Sequence, residues 1–348
     1  MSTPRGFKRL VANALASNPV TALAQPLASG VASIFMLHRF ADPDRGNLGH
    51  DRETLRGHLA YLRRKRYELV ALDELVRRLD SRDARLAKTV AFTIDDGYAD
   101  YATVGGPVFD EFDCPATVFI VTGVTDEGGW YWWDRLRVAL ETGARRTVRL
   151  EIAGAPVTLE WSDAASAARA ARAIVDRMKL VSDAERRAIL DAIPAMVEAT
   201  VPEKPPSRYA AMTWDEIRRC GAGVTTFGAH TVTHPILART TDAAARHEIE
   251  GSWRRLREQT DAAVPVFCYP NGTTADLGQR EMQILRDAGI TAAVLSQPGY
   301  ASVEQFHDAP DSRFRIPRFP YDGITTDLVQ VVNGVERVKL AVRRVVST

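Results

Sequence analysis

The sequence predicts an α/β protein: a barrel-like parallel sheet into which an α+β subdomain is inserted. Short apolar, β-rich runs alternate with amphipathic helical stretches in both outer thirds of the chain, the pattern of repeated βαβ units. The alternation breaks between residues 126 and 208 and resumes after 209. Two polar clusters follow core strands directly, and in a barrel strand ends gather on one face. A chain of 348 residues has room for one such unit plus an insertion.

Residues 1–30 read as an amphipathic helical segment. Arg5, Lys8 and Arg9 precede an apolar stretch, but Asn13, Ser17, Asn18 and Pro19 interrupt it, so it does not read as a secretory signal. Phe7, Leu10, Val11, Ala14 and Leu15 share one helical face with the basic residues mostly off it. Such a helix either packs on the domain or makes peripheral contact with an anionic membrane surface. The expected location is cytoplasmic, at the inner face of the membrane where that helix binds.

The barrel is expected over 31–125 and 209–322. Its first half reads as strands Val31–Leu37, Tyr67–Ala71, Thr89–Ile94 and Ala116–Val121, with helices Glu53–Arg64, Leu72–Leu79 and, after a break at Gly105-Gly106-Pro107, Tyr101–Phe112. The insertion, 126–208, opens on Trp130-Tyr131-Trp132-Trp133. A hairpin around Gly154-Ala155-Pro156 and two alanine-rich helices follow, and Pro202–Pro206 closes it as a stiff linker. It reads as a subdomain or lid. In the second half, Thr213 and Glu216 form a capping box, and strands are expected at Val224–Phe227, Val264–Tyr269, Ile290–Leu295 and Phe314–Phe319. Residues 323–348 end the chain as a helix over Thr326–Val345.

Composition narrows the function. Lys and Arg number 45 against 44 for Asp and Glu, so no polyanion is demanded and nucleic acid is not an expected partner. Cys114, Cys220 and Cys268 are odd in number and widely spaced, forming neither a disulfide framework nor a zinc pattern.

Chemistry concentrates in three places. Asp95 and Asp96 stand side by side at the end of a core strand, before Gly97. Asp-Asp-Gly is good turn chemistry, yet two adjacent carboxylates at a strand mouth repel and each needs a partner. His230 and His234 follow the expected strand Val224–Phe227, four apart, so on a helical turn their imidazoles meet on one face and bind one ion. With one carboxylate they make a His-His-Asp set that leaves positions open, as catalytic sites do. Tyr269-Pro270-Asn271-Gly272 also leaves a strand, and its turn exposes backbone N–H groups.

Together, Thr93–Gly97, His230–His234 and Tyr269–Gly272 resemble the motifs of the NodB-homology polysaccharide deacetylases, carbohydrate esterase family 4. Met36–Arg39 is similar to that family's first-strand element. The resemblance covers Ser33–Thr125 and Tyr209–Phe319 and leaves the insertion and both termini aside. It implies a distorted (β/α) barrel of the NodB-homology type and metal-assisted removal of acetyl groups, most often N-acetyl, from a sugar or polysaccharide in the bacterial envelope or exopolysaccharide. Carried over, Asp96, His230 and His234 hold a divalent metal, in first place Zn2+. Asp95 is the general base, and the Asn271 backbone N–H supports the oxyanion.

The match thins at proton return. An arginine that the family carries before its third motif is replaced here by Val264–Phe267. Arg318, at a strand end, is the candidate to orient Asp95. His38 is the candidate general acid, with His307, in an expected exposed loop, as the alternative. His50, His58 and His247 read as structural or solvated. Tyr269, Trp132 and Trp133 are candidate sugar-contacting residues, the tryptophans alternatively anchoring the subdomain. Rival readings are a deformylase or other amide hydrolase, a non-catalytic glycan-binding barrel, and a metal-dependent phosphoesterase.

Overall fold

The structure is a computed structural model that describes residues 28–82 and 86–346, with side chains through residue 340. The amphipathic segment expected around Phe7–Leu15 lies outside the described residues. Among those described, no helix is long and apolar enough to cross a membrane.

Strands β1 (Val31–Leu37), β2 (Glu68–Leu69), β3 (Thr89–Ile94) and β4 (Ala116–Ile120) begin the sheet. After the hairpin β5 (Thr147–Ile152) and β6 (Ala155–Glu160) it continues with β7 (Thr225–Ala229), β8 (Ala263–Cys268) and β9 (Ala292–Val294). Two-residue strands β10 (Ala301–Ser302) and β11 (Phe319–Pro320) complete it. The order is β10-β1-β3-β4-β7-β8-β9, with β2 beside β3 and β11 beside β1. Within this sheet all pairings are parallel except β10 on β1, while β5 and β6 form a separate antiparallel pair.

Alternate residues of each strand feed two cores, as a period of two requires. From β1, Ala32 and Ile34 join an inner cluster with Phe119, Val266 and Val294, whereas Val31, Phe35 and Leu37 join an outer one under the helices. Buried on both faces, these strands read as continuous apolar runs rather than as alternating ones.

The sheet curls, and its ends are joined by a short segment. Ile316 bridges to Val294 of β9, and three residues later Phe319 pairs with Phe35 of β1. The expected strand Phe314–Phe319 is thereby corrected to one bridge and a two-residue strand. Pro317 has no N–H to give a ladder, so pairing is interrupted there.

Helices α1 (Arg52–Arg64) and α2 (Leu72–Asp80) cover the first half. The Asp51 side chain caps α1 by accepting from Thr54 N at 2.8 Å. α2 places Leu72, Leu75, Val76 and Leu79 on the inner cluster. The break expected at Gly105-Gly106-Pro107 is absent: a π-helical turn, Tyr101–Gly105, runs into α3 (Gly106–Glu111) with Gly106 at φ −51°. Pro107 sits in the first turn of α3, where its missing N–H costs nothing.

After α4 (Thr122–Glu127), helices α5 (Trp132–Thr142), α6 (Ala164–Met178) and α7 (Asp183–Met196) surround the β5–β6 hairpin. Leu136, Leu140, Ile152, Ile174, Met178 and Ile193 pack there in a cluster of their own. Ala153 and Gly154 turn the hairpin with φ of +56° and +72°.

Beyond lie α8 (Trp214–Gly221), whose Thr213–Glu216 capping box forms, then α9 (Asp242–Gln259), α10 (Gln279–Asp287) and α11 (Val303–Asp308). The single C-terminal helix expected over Thr326–Val345 is two, α12 (Thr325–Val332) and α13 (Val335–Val346). Asn333 ends the first, and Gly334 takes φ +77°, a left-handed stop that glycine tolerates.

Candidate active and metal site

The parallel strands bring their C-terminal ends to one face, where β1 delivers His38, β3 Asp95 and Asp96, β7 His230 and β8 Tyr269. Asp95 N–H donates to Leu37 O at 2.9 Å and still follows the sheet. Asp96 and Gly97 then turn with φ of +71° and +72°. A Cβ on Gly97 would stand 2.7 Å from Ile120 Cδ1, so this turn needs glycine for both its angle and its space.

Three donor atoms converge here. His230 Nε2 and His234 Nε2 are 3.2 Å apart, and Asp96 Oδ1 lies 3.5 and 3.4 Å from them. Tetrahedral donors about 2.0–2.1 Å from a zinc-sized ion stand roughly 3.3 Å from one another. The triangle therefore fits such an ion, and its two imidazoles and one carboxylate suit zinc. His230 Nδ1 lies 2.7 Å from Cys268 O, a carbonyl that can only accept. Its proton is thus on Nδ1 and the Nε2 lone pair faces the triangle, as in ligating histidines. Burial alone would raise the Asp96 pKa, but the two imidazoles hold it well below the usual carboxylate value.

The histidines do not share a helical turn, and that expectation is corrected. Thr231 and His234 take φ of +67° and +58°, and the segment is an irregular loop. Buried Glu248 of α9 pins it, accepting from Val232 N, Thr233 N and Thr233 Oγ1 at 2.7, 2.8 and 2.7 Å. Thr231 Oγ1 accepts from His234 N at 3.0 Å. Glu248 was not singled out from the sequence; a carboxylate on the buried stripe of α9, between Ala245 and Ser252, was the available signal.

Asp95 lies outside the triangle and is gripped from behind. Arg318, completely buried, donates through Nη1 to Oδ1 at 2.6 Å and through Nη2 to Oδ2 at 2.8 Å. The guanidinium is fixed by Thr93 Oγ1 at 2.9 Å and by Leu295 O at 2.9 Å. Cys268 Sγ is 3.4 Å from Asp95 Oδ2. Burial pushes the Asp95 pKa up, but Arg318 outweighs it and holds the carboxyl below its ordinary value. His38 Nε2 stands 3.9 Å from Asp95 Oδ2 with its side chain 47% exposed.

These groups open into a pocket of about 280 Å³ lined also by Tyr269, Asn271, Trp132 and Trp133. Asn271 has φ +62° and its side chain donates to Asp276 Oδ2 at 2.7 Å. Tyr269 is nearly inaccessible, its ring edge-on to Phe267. Trp132 Nε1 points to His234 O at 3.4 Å, and the Trp133 ring stands edge-on to the His234 imidazole, 4.6 Å between centroids.

An aromatic relay that the sequence reading missed ties the insertion to this site. Trp133 Nε1 donates to Tyr98 OH at 2.9 Å, and Tyr98 OH donates to buried Asp134 at 2.6 Å. Tyr131 OH donates to Asp96 O at 2.5 Å. Burial pushes the Asp134 pKa up to about 6. The remaining histidines lie elsewhere. His307 is on α11, not in an exposed loop, half-buried with Nε2 3.0 Å from Leu79 O. His58 is buried against Tyr321 OH and Thr325 Oγ1, at 2.7 and 2.9 Å.

Comparison with known proteins adds a sequence match and a shared fold. Residues 196–293, which hold His230, His234 and the Tyr269–Gly272 turn, match the family model described as Polysaccharide deacetylase. No curated protein sequence matches the chain. Among solved structures, the Streptococcus pyogenes deacetylase PplD, in complex with acetate, is similar with TM-score 0.56 and 16% identity, covering 87% of this chain and 99% of that one. IcaB from Ammonifex degensii gives TM-score 0.52 and 16% identity, covering 88% and 97%. A de-N-acetylase from Aggregatibacter actinomycetemcomitans gives 0.50 and 12%, covering 84% and 95%. At these identities the likeness is one of fold.

Proposed function

We propose, for a chain that is a polysaccharide deacetylase-like hydrolase of the NodB-homology type acting on carbon–nitrogen bonds, that it removes an N-acetyl group from a sugar with a divalent cation held by Asp96, His230 and His234. The observation that carries this is the pairing of one donor triangle with one Arg318-gripped carboxylate in the same pocket.

When bound, the cation supplies Lewis acidity, polarising the acyl carbonyl and lowering the pKa of water there to about 7. Asp95, whose carboxyl Arg318 holds below its ordinary pKa against the opposing effect of burial, takes the proton of the attacking water. Arg318 keeps it oriented, so Asp95 does not swing in as a fourth ligand. The Asn271 N–H supports the carbonyl oxygen as negative charge builds on it. His38, half-exposed at the rim, returns a proton to the departing amine. Trp132 and Trp133 offer apolar faces to a sugar ring. A saccharide of the bacterial envelope or exopolysaccharide, lipid-linked at the inner membrane face, is the setting supported by the basic amphipathic sequence before residue 28.

Acetate release from a panel of N-acetylated saccharides, with and without chelator and added zinc, tests this. Release that chelator abolishes and zinc restores is expected; chelator-insensitive release, or none from any sugar, overturns it.

A further inference from the structure

One wall of the catalytic pocket belongs to the inserted subdomain. On α6, Ile174 and Met178 are buried in the subdomain's own core, while Val175 and, at the cap just past the helix end, Lys179 line the pocket together with His38 and Asp95. Among the described lining residues, Lys179 is the sole lysine or arginine. The protein does not need that charge there for itself. Asp95 has both oxygens on Arg318, and Asp96 faces the two imidazoles. The ion pair of Lys179 is with Asp176 Oδ1 at 3.6 Å, a partner 63% exposed on the same helix and outside the pocket lining. An exposed pair of this kind holds its members weakly, so the ammonium is free to turn to a ligand.

We propose that Lys179 makes the enzyme selective for N-acetylated sugars that carry an anionic oxygen group, a carboxylate or a phosphate, close to the acetamido group. This rests on the deacetylase reading and narrows its substrate class. An ammonium–anion hydrogen bond formed in this pocket is worth about 10- to 100-fold in kcat/KM.

Three probes test it: a neutral tetrasaccharide of N-acetylglucosamine, an oligosaccharide alternating N-acetylglucosamine with glucuronate, and N-acetylglucosamine 1-phosphate. Acetate release is measured for wild type, Lys179→Gln, Lys179→Arg and Lys179→Glu, and read as the anionic-over-neutral ratio of kcat/KM. The expected wild-type ratio is at least about tenfold for one anionic probe, which identifies carboxylate or phosphate. Lys179→Gln abolishes the preference, Lys179→Arg retains most of it and Lys179→Glu reverses it. A wild-type ratio near one, or one that Lys179→Gln leaves unchanged, overturns the inference while the deacetylase reading stands. No release from any probe by wild type overturns the deacetylase reading itself, and this inference with it.

Discussion

Arg318 spans both oxygens of Asp95 although 223 residues separate the two in the chain. Arg318 is fully buried and Asp95 touches solvent only through the pocket, so removing one partner strands the other. Arg318→Ala is expected to cost about 3–5 kcal/mol of stability as an uncompensated buried carboxylate. Arg318→Lys keeps the charge but loses the planar fork. It should fold, bind metal as the wild type does, and release acetate at least about tenfold more slowly, a split read by metal analysis beside kcat.

The donor triangle predicts that metal is part of the folded state. A cation at a hundredfold excess over its Kd adds about 2.7 kcal/mol, so chelation should lower the melting temperature and zinc should restore it. Asp96→Asn and His230→Ala should lose both the metal and that thermal response.

Glu248 holds the loop between the two histidines without touching either imidazole. Glu248→Ala leaves Val232 N, Thr233 N and Thr233 Oγ1 without their shared acceptor and loosens the ring positions. Outer contacts of this kind are worth about 10- to 100-fold in metal affinity. Competition titration should show that loss, with much of the rate recovered at saturating zinc.

His58 predicts acid sensitivity remote from the chemistry. Burial, its dominant influence, lowers its pKa to about 4 in the folded protein from 6.5. The folded state therefore refuses a proton that the unfolded chain accepts as pH falls below 6.5, and stability declines until about pH 4. The full loss is about 3 kcal/mol. Urea midpoints at pH 7 and pH 4 measure it, and His58→Gln should flatten the dependence.

The fold was legible in the sequence wherever the signal was local. β1, β3 and β4 are short, mostly apolar, β-rich runs bounded by polar segments, and the Thr213–Glu216 capping box marks its helix unaided. The positions of Asp95, Asp96, His230 and Tyr269 at strand ends followed from those runs. What could not be read depends on contacts made across the chain. The histidine loop takes its left-handed angles because Glu248, from a separate helix, accepts its N–H groups. Tyr98 carries no signal of its own in the sequence; its place is set by Asp134 and Trp133 of the insertion, which meet its hydroxyl. Gly334 divides the last helix because the chain must turn there, although the apolar periodicity runs through.

The hairpin and the three helices around it enclose a hydrophobic cluster that has no residue in common with either barrel cluster. Val175 and Lys179 therefore belong to a part of the molecule that draws its stability from elsewhere than the strands presenting Asp95, Asp96 and His230. Mutations that reshape or recharge that wall can accumulate without loosening the chemical centre. A lineage built on this plan can change what it accepts while keeping how it cuts.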